Sequence, residues 1–398
     1  MPRVMIYVQH LLGIGHLMRA RRLAEALVDA RFDVHLVTGG MPIGGRLPRG
    51  ASTIQLPPIR VGDASFTPLR DGDFTPIADA YRARRRDLLL DAYARIRPDA
   101  LLFETFPFGR RSLRFELVPL LERVDATHPR PLVVSSIREI LQLQQKPERE
   151  REMLEWAARW FDAVFVHGDP RFARFDDTYS FVDALAIPVH YTGFVLDWPA
   201  SAPAFGSGAE EAGADPGSRD EVVVSAGGGG VGVELLATAL AAQPRSRLAH
   251  LTWRVLAGPN VRAEGMQRLD ALRGPKAIVE RSRADFASLL RRAFVSISQA
   301  GYNTTMDVMT SGARPVVVPF TGSGETEQRA RGERLAKFDL AVVVDDRTLT
   351  PQTLAAAVDA ASARTFAAWD FASDGATRTA ELLHELLATR GARAKSAA

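Results

Sequence analysis

The chain contains no cysteine, which excludes disulfides, thiolate zinc sites and a cysteine nucleophile. Lysine is almost as scarce. It stands only at Lys146, Lys276, Lys337 and Lys395, so arginine supplies nearly all the positive charge. That charge is nearly balanced, 50 basic against 47 acidic residues for a net +3, which speaks against a nucleic-acid partner. Long apolar runs are missing too: Val222 to Ala242 has the length of a membrane span, but Gly227 to Gly230 and Glu234 interrupt it. The N-terminus, Met1-Pro-Arg-Val-Met-Ile-Tyr-Val-Gln-His10, enters an apolar strand without the h-region of a signal peptide, so a cytoplasmic location is expected.

What is present is length and rhythm. At 398 residues, 46% hydrophobic and 24% charged, the chain has a globular composition and exceeds what one core normally holds. Short apolar runs alternate with longer amphipathic ones, the pattern of parallel strands and crossover helices. The class is α/β, with two doubly wound Rossmann-like domains. Strands are expected at 4–8, 34–37, 100–103, 132–135 and 163–166, then at 222–225, 253–257, 277–279, 295–298, 315–318 and 341–344. The domains are placed at 1–198 and 221–372. Between them 199–220 is small, polar and rich in Pro and Gly, the composition of a linker. A helix within 373–390 carries Ala380, Leu382, Leu383, Leu386 and Leu387 at helical spacing and needs an apolar partner; 391–398 is expected to fray. The irregular stretch Pro57 to Thr75 is a candidate lid or acceptor loop.

Three polar turns follow strands. In the first, Gly13-Ile14-Gly15-His16 opens a helix whose free N–H groups favour anions. A dinucleotide fingerprint would need glycine where Met18 stands and an acid where Thr38-Gly39-Gly40 follows the second strand, so a nicotinamide cofactor is not expected. The second turn is Ser225-Ala226-Gly227-Gly228-Gly229-Gly230-Val231-Gly232. Its bare backbone suits a diphosphate, and no Gly-Lys-Ser/Thr follows to make it a Walker loop. The third runs from Ser298 through Gly301, Asn303, Thr304 and Asp307 to Val316-Val317-Val318-Pro319-Phe320 and then Glu325-Thr326-Glu327-Gln328. On a helix Asn303 and Asp307 share a face, so an amide and a carboxylate can meet one polyol.

In this order the motifs resemble the GT-B nucleotide-sugar glycosyltransferases of family 28, the superfamily of the MurG-type N-acetylglucosaminyltransferases. The resemblance spans nearly the whole chain, and its most specific part is 298–328. It implies an interdomain cleft, a final helix packed back on the first domain, and a UDP-type donor. Asp307 would hold the ribose hydroxyls, Gly227, Gly228, Gly229, Gly230, Gly301, Asn303 and Thr304 the diphosphate, and Glu327 and Gln328 the sugar hydroxyls. His16 matches the loop histidine beside the reacting centre. The segment Phe103 to Arg111 is unlike the MurG type, and that family's acceptor-loop glycines have no clear counterpart, which places the chain nearer to other predicted glycosyltransferases of the superfamily. Gly13-Ile14-Gly15-His16-Leu17-Met18-Arg19 is also similar to the loop of the UDP-sugar hydrolases of the pseudaminic acid pathway. The length of the first half favours transfer over hydrolysis.

The expected activity is therefore metal-independent, inverting transfer from a nucleotide diphosphate sugar, the co-substrate, to an unknown hydroxylated acceptor, with no cofactor. Sugar-nucleotide hydrolysis and a non-catalytic binding module are the alternatives. His16 is the candidate general base and Glu104 its competitor for that role. Gly13, Gly15, Arg138 and Glu139 fall at carboxyl ends of first-half strands and are the acceptor-side candidates. Asp71-Gly72-Asp73 imitates a metal-binding DxD but lies outside any strand end, so no metal is expected. The runs Arg82 to Arg86 and Arg110, Arg111 and Arg114 could meet an anionic acceptor or a membrane surface, with a solvated helix face the favoured reading.

Overall fold

The computed structural model describes residues 1–11, 13–43, 47–62, 68–143, 146–179, 181–196, 219–227, 232–258, 261–283 and 285–396. The chain forms two compact units: Met1–Leu196 with Phe371–Ala398, and Asp197–Asp370. Up to residue 218 the expected linker lies outside the described residues.

The first unit is built on a parallel sheet of order β3-β2-β1-β4-β5-β6-β7. Its strands are β1 (Arg3–Val8), β2 (Asp33–Thr38), β3 (Ser52–Gln55), β4 (Ala100–Glu104), β5 (Leu132–Arg138), β6 (Ala163–His167) and β7 (Val189–Tyr191). The central strands bury nearly every residue, as a sheet covered by helices on both faces requires. Helices α1 (Gly15–Asp29), α2 (Asp79–Ile96), α3 (Arg114–Asp125) and α4 (Pro147–Trp160) supply the cover. Because crossovers leave β1 in one direction and β4 in the other, a crevice opens at their carboxyl ends, where such sheets bind ligands.

The second unit repeats the scheme with the order β10-β9-β8-β11-β12-β13. The strands are β8 (Glu221–Ser225), β9 (Thr252–Ala257), β10 (Ala277–Arg281), β11 (Ala293–Ser298), β12 (Arg314–Val317) and β13 (Val342–Val343). Between them run α5 (Val233–Ala242), α6 (Ala263–Ala271), α7 (Phe286–Arg292), α8 (Tyr302–Met309), α9 (Glu327–Lys337) and α10 (Pro351–Ser362). Its switch point lies between β8 and β11, where the second and third polar turns begin.

The last helix, α11 (Gly375–Ser396), belongs to the first unit. Ala380, Leu382 and Leu383 join Val4, Ile6, Ala24 and Leu27 in one buried cluster, and His384 stacks on Phe32 at 4.1 Å. The stretch expected to fray from 391 is instead helical through Ser396, since the amphipathic helix continues past its buried turns. Its entry is fixed by Phe194 N–H donating to Ala372 O at 2.7 Å and Gly375 N–H to Phe194 O at 3.1 Å. A side chain on Gly375 would meet Gly193 O at 2.1 Å, so glycine is required there.

Two expectations change. The Pro57 to Thr75 stretch, outside 63–67, is packed rather than free: Arg60 and Arg70 exchange backbone hydrogen bonds at 2.8 and 2.9 Å, and Ile59, Val61 and Leu69 enter the core. In the run Arg82 to Arg86, Arg85 is fully buried and only its neighbours face outward. Arg85 bonds Glu116 at 2.7 and 2.8 Å, Gln9 Oε1 at 3.0 Å and Gly39 O at 3.0 Å, while Tyr7 donates to Glu116 at 2.5 Å. This buried network ties β1 to the loop after β2. Among the described residues no helix is long and apolar enough to cross a membrane.

Candidate active site

In the first unit, the sheet register puts Glu104 beside Ser136, and Arg138 beside His167, at the carboxyl ends of β4, β5 and β6. His16 enters from the first turn of α1. Its Nδ1 lies 2.7 Å from Glu104 Oε1, and Thr105 Oγ1 stands 3.3 Å from the same nitrogen. A carboxylate only accepts, so in the neutral imidazole Nδ1 carries the proton and Nε2 keeps the lone pair. Among the described residues Nε2 has no protein hydrogen bond. Glu104 is buried and also accepts from Arg19 Nη2, one turn along α1. Its hydrogen bond fixes the orientation of the His16 ring.

Behind Glu104 the chain of contacts continues. Ser136 Oγ donates to Glu104 Oε2 at 3.4 Å and lies 2.7 Å from His167 Nε2, whose Nδ1 is 2.8 Å from Thr192 Oγ1. Burial, and then the charge of Arg19, push His167 down to about 3, so it stays neutral in the fold. Burial likewise holds His16 well below its ordinary value, with Arg110, Arg138, Arg19 and His10 adding to the effect. The turn after β4 is strained: Thr105 and Arg110 have φ of 70° and 61°, left-handed backbone for residues that rarely adopt it.

The other first-half candidates divide. Gly13 has open space where a side chain would stand, and Gly15 is the first residue of α1. Arg138 is half-buried at the end of β5. Glu139 is fully buried, its Cβ close against Gly168. Arg111 pairs with Glu152, whereas Arg110 turns to the site and donates through Nε to Gln9 O at 2.9 Å. Asp71 Oδ1 accepts Asp73 N–H at 3.0 Å and Thr75 N–H at 2.9 Å, so this carboxylate holds its own loop.

In the second unit, Gly301 precedes α8 as its N-cap residue and accepts from Thr305 N–H at 2.9 Å, so the first turn of the helix follows the Gly301 turn directly. Gly301 has an ordinary φ of −66° and open space at the Cβ position, so neither backbone nor packing demands glycine. Gly227, at φ 68°, is equally open. Gly228, Gly229 and Gly230 lie outside the described residues. Gly232 differs: a Cβ there would lie 1.9 Å from Ala226 Cβ, so this glycine serves the fold. Asn303, Thr304 and Asp307 are half-exposed on α8.

The Glu327–Gln328 pair is engaged more internally than expected. Gln328 Oε1 accepts from Ala300 N at 3.0 Å and Phe320 N at 3.1 Å, stapling the turn after β11 to the one after β12. Glu327 pairs at 3.1 Å with Arg331, a fully buried residue that also donates to Ala300 O at 2.7 Å. These bonds occupy Gln328 Oε1 and one oxygen of Glu327, groups the resemblance had assigned to sugar hydroxyls. Sequence reasoning missed Arg331 and His167. The i,i+4 spacing of Glu327 and Arg331 was the available signal for the first, while nothing local marks His167.

Two Rossmann-like units of this kind define the GT-B fold. Solved structures agree. The chain is similar to a glycosyltransferase of Phytolacca americana, UGT2, complexed with UDP-2fluoro-glucose and pterostilbene (TM-score 0.57, 14% identity, 90% of each chain covered). It is similar to MurG of Acinetobacter baumannii (TM-score 0.57, 15% identity, 97% of this chain and 100% of that one). It is also similar to glycosyltransferase VinC in complex with DTDP (TM-score 0.54, 13% identity, 95% and 93%). No curated protein sequence matches the chain. Residues 222–368 match the model of the glycosyltransferase family 28 C-terminal domain. The second unit thus matches the C-terminal domain of glycosyltransferase family 28, and the chain as a whole shares the fold of these GT-B structures.

Proposed function

We propose that the enzyme transfers a sugar, with inversion and without a metal, from a nucleoside diphosphate sugar to a hydroxylated acceptor, uridine being the favoured nucleoside. The observation that carries this is the His16–Glu104 pair at 2.7 Å. His16 Nε2 takes the acceptor's hydroxyl proton as that oxygen attacks the anomeric carbon on the face opposite the diphosphate. The bond from the anomeric carbon to the diphosphate oxygen breaks, and the diphosphate leaves with the electron pair. Glu104 stabilises the imidazolium that forms.

The departing charge is met by backbone N–H groups at the start of α8 and at Gly227, with Gly301 small enough to let phosphate oxygens approach. Asp307 accepts from the ribose hydroxyls. The UDP-sugar analogue and pterostilbene bound to the Phytolacca enzyme, and the DTDP bound to VinC, support a nucleotide-linked donor and leave both uridine and thymidine to be tested.

Calorimetric titration of the full chain with UDP, dTDP and GDP tests the donor assignment, and absence of binding to all three would overturn it. Incubation with the matching sugar nucleotide in EDTA, with and without a panel of phenols and sugars, separates transfer from hydrolysis. The anomeric configuration of the product, read by NMR, decides inversion.

A further inference from the structure

The positive charge around His16 exceeds what its base role requires. Arg19 is matched by Glu104, and Arg111 by Glu152. Arg110 has no carboxylate partner among the described residues; its one protein bond is Nε to Gln9 O. That bond, with the left-handed backbone at Arg110, fixes the guanidinium over the carboxyl end of β1, beside the start of α1. Arg138 stands at the end of β5, beyond β4 in the strand order β1-β4-β5. Both charges act on His16, and they act on each other: burial first, then Arg138, bring Arg110 down to about 10.

Fixing a guanidinium in a half-buried place, against the repulsion of a second, costs stability that an anion would return. Glu104, the acid whose charge acts on Arg110, is already shared by His16, Arg19 and Thr105.

Resting on the reading of His16 as the base, we infer that the acceptor carries a carboxylate or phosphate close to its reacting hydroxyl, held by the Arg110 fork with Arg138 beside it. The two arginines make this a specificity-determining subsite. It would select hydroxy acids or phosphorylated alcohols over neutral polyols.

The probe is glycerol 3-phosphate, with glycerol as its neutral counterpart, titrated by calorimetry into the full chain and in parallel with UDP and dTDP. Glycerol 3-phosphate is expected to bind at least 10-fold more tightly than glycerol, and Arg110→Gln to remove most of that preference while nucleotide affinity stays within about twofold. Arg110→Lys should restore part of it, and Arg138→Gln should weaken it by a smaller factor. Equal binding of the two probes, or a preference that survives in both glutamine variants, overturns the inference. A 10-fold loss of UDP or dTDP affinity in Arg110→Gln overturns it as well, by assigning the arginine to the donor's diphosphate. Should Arg110→Gln fail to fold, the Arg110→Lys and Arg138→Gln results decide. Failure of all nucleotides to bind, with the glycerol 3-phosphate preference intact, would sink the transferase mechanism and leave the anion site standing.

Discussion

Glu104 Oε1 lies 2.7 Å from His16 Nδ1 although the residues are 88 positions apart, and it accepts a second hydrogen bond from Arg19 on the same helix as His16. One buried carboxylate thus sets both the tautomer of the imidazole and the position of the helix that carries it.

If this pair is the base, His16→Ala lowers kcat about 100-fold or more and leaves nucleotide affinity nearly unchanged. Glu104→Gln should lower kcat comparably, because Arg19 loses its counter-charge and the imidazole its anionic partner. Steady-state transfer assays alongside nucleotide titrations check both, and loss of nucleotide binding in His16→Ala would make it a binding residue only.

The pH–rate profile follows from the burial of His16. Its value lies well below the ordinary 6.5, so the base form is complete at pH 7. The rate should be flat through neutrality and fall only in acid below that ordinary value. An acid limb centred at or above 6.5 would contradict the assignment.

Stability should carry a related signature from His167. Its folded value is depressed to about 3, so its contribution is full above the unfolded value near 6.5 and is lost as pH falls from there towards 3. The slope from this one group reaches at most about 1.4 kcal/mol per pH unit. Urea unfolding at several pH values should show less acid destabilisation in His167→Gln than in the wild type.

The glycines of the second unit separate by role. Gly232→Ala places a methyl 1.9 Å from Ala226 Cβ and should destabilise the fold. Gly301→Ala meets open space, so thermal stability should hold while nucleotide diphosphate affinity drops; retained affinity would remove Gly301 from the donor site. Asp307→Ala should cost about 1.5–3 kcal/mol in UDP binding and less with 2′-deoxy-UDP.

Arg85→Met leaves Glu116 charged and buried without its partner, at a cost of about 3–5 kcal/mol. Adding Glu116→Leu should recover part of this in chemical unfolding. An unchanged midpoint in the single variant would show that the network does not hold the first unit.

The sequence by itself determined the two doubly wound sheets, since strand and helix periodicity is written through most segments: the eleven strands expected from it all appear, and only β3 and β7, short and without a buried residue, were not among them. Glycine turns after strands also marked local polar sites, because a turn and a helix start are short-range features. Only tertiary structure decided how distant charges combine. That Glu104 serves His16, that Arg85 points inward while its neighbours do not, and that Gln328 bonds two backbone amides rather than standing free are outcomes of sheet register and helix packing. A charged side chain reads the same in sequence whether its partner is water, a ligand or a carboxylate 88 residues away, and only burial and distance tell these apart.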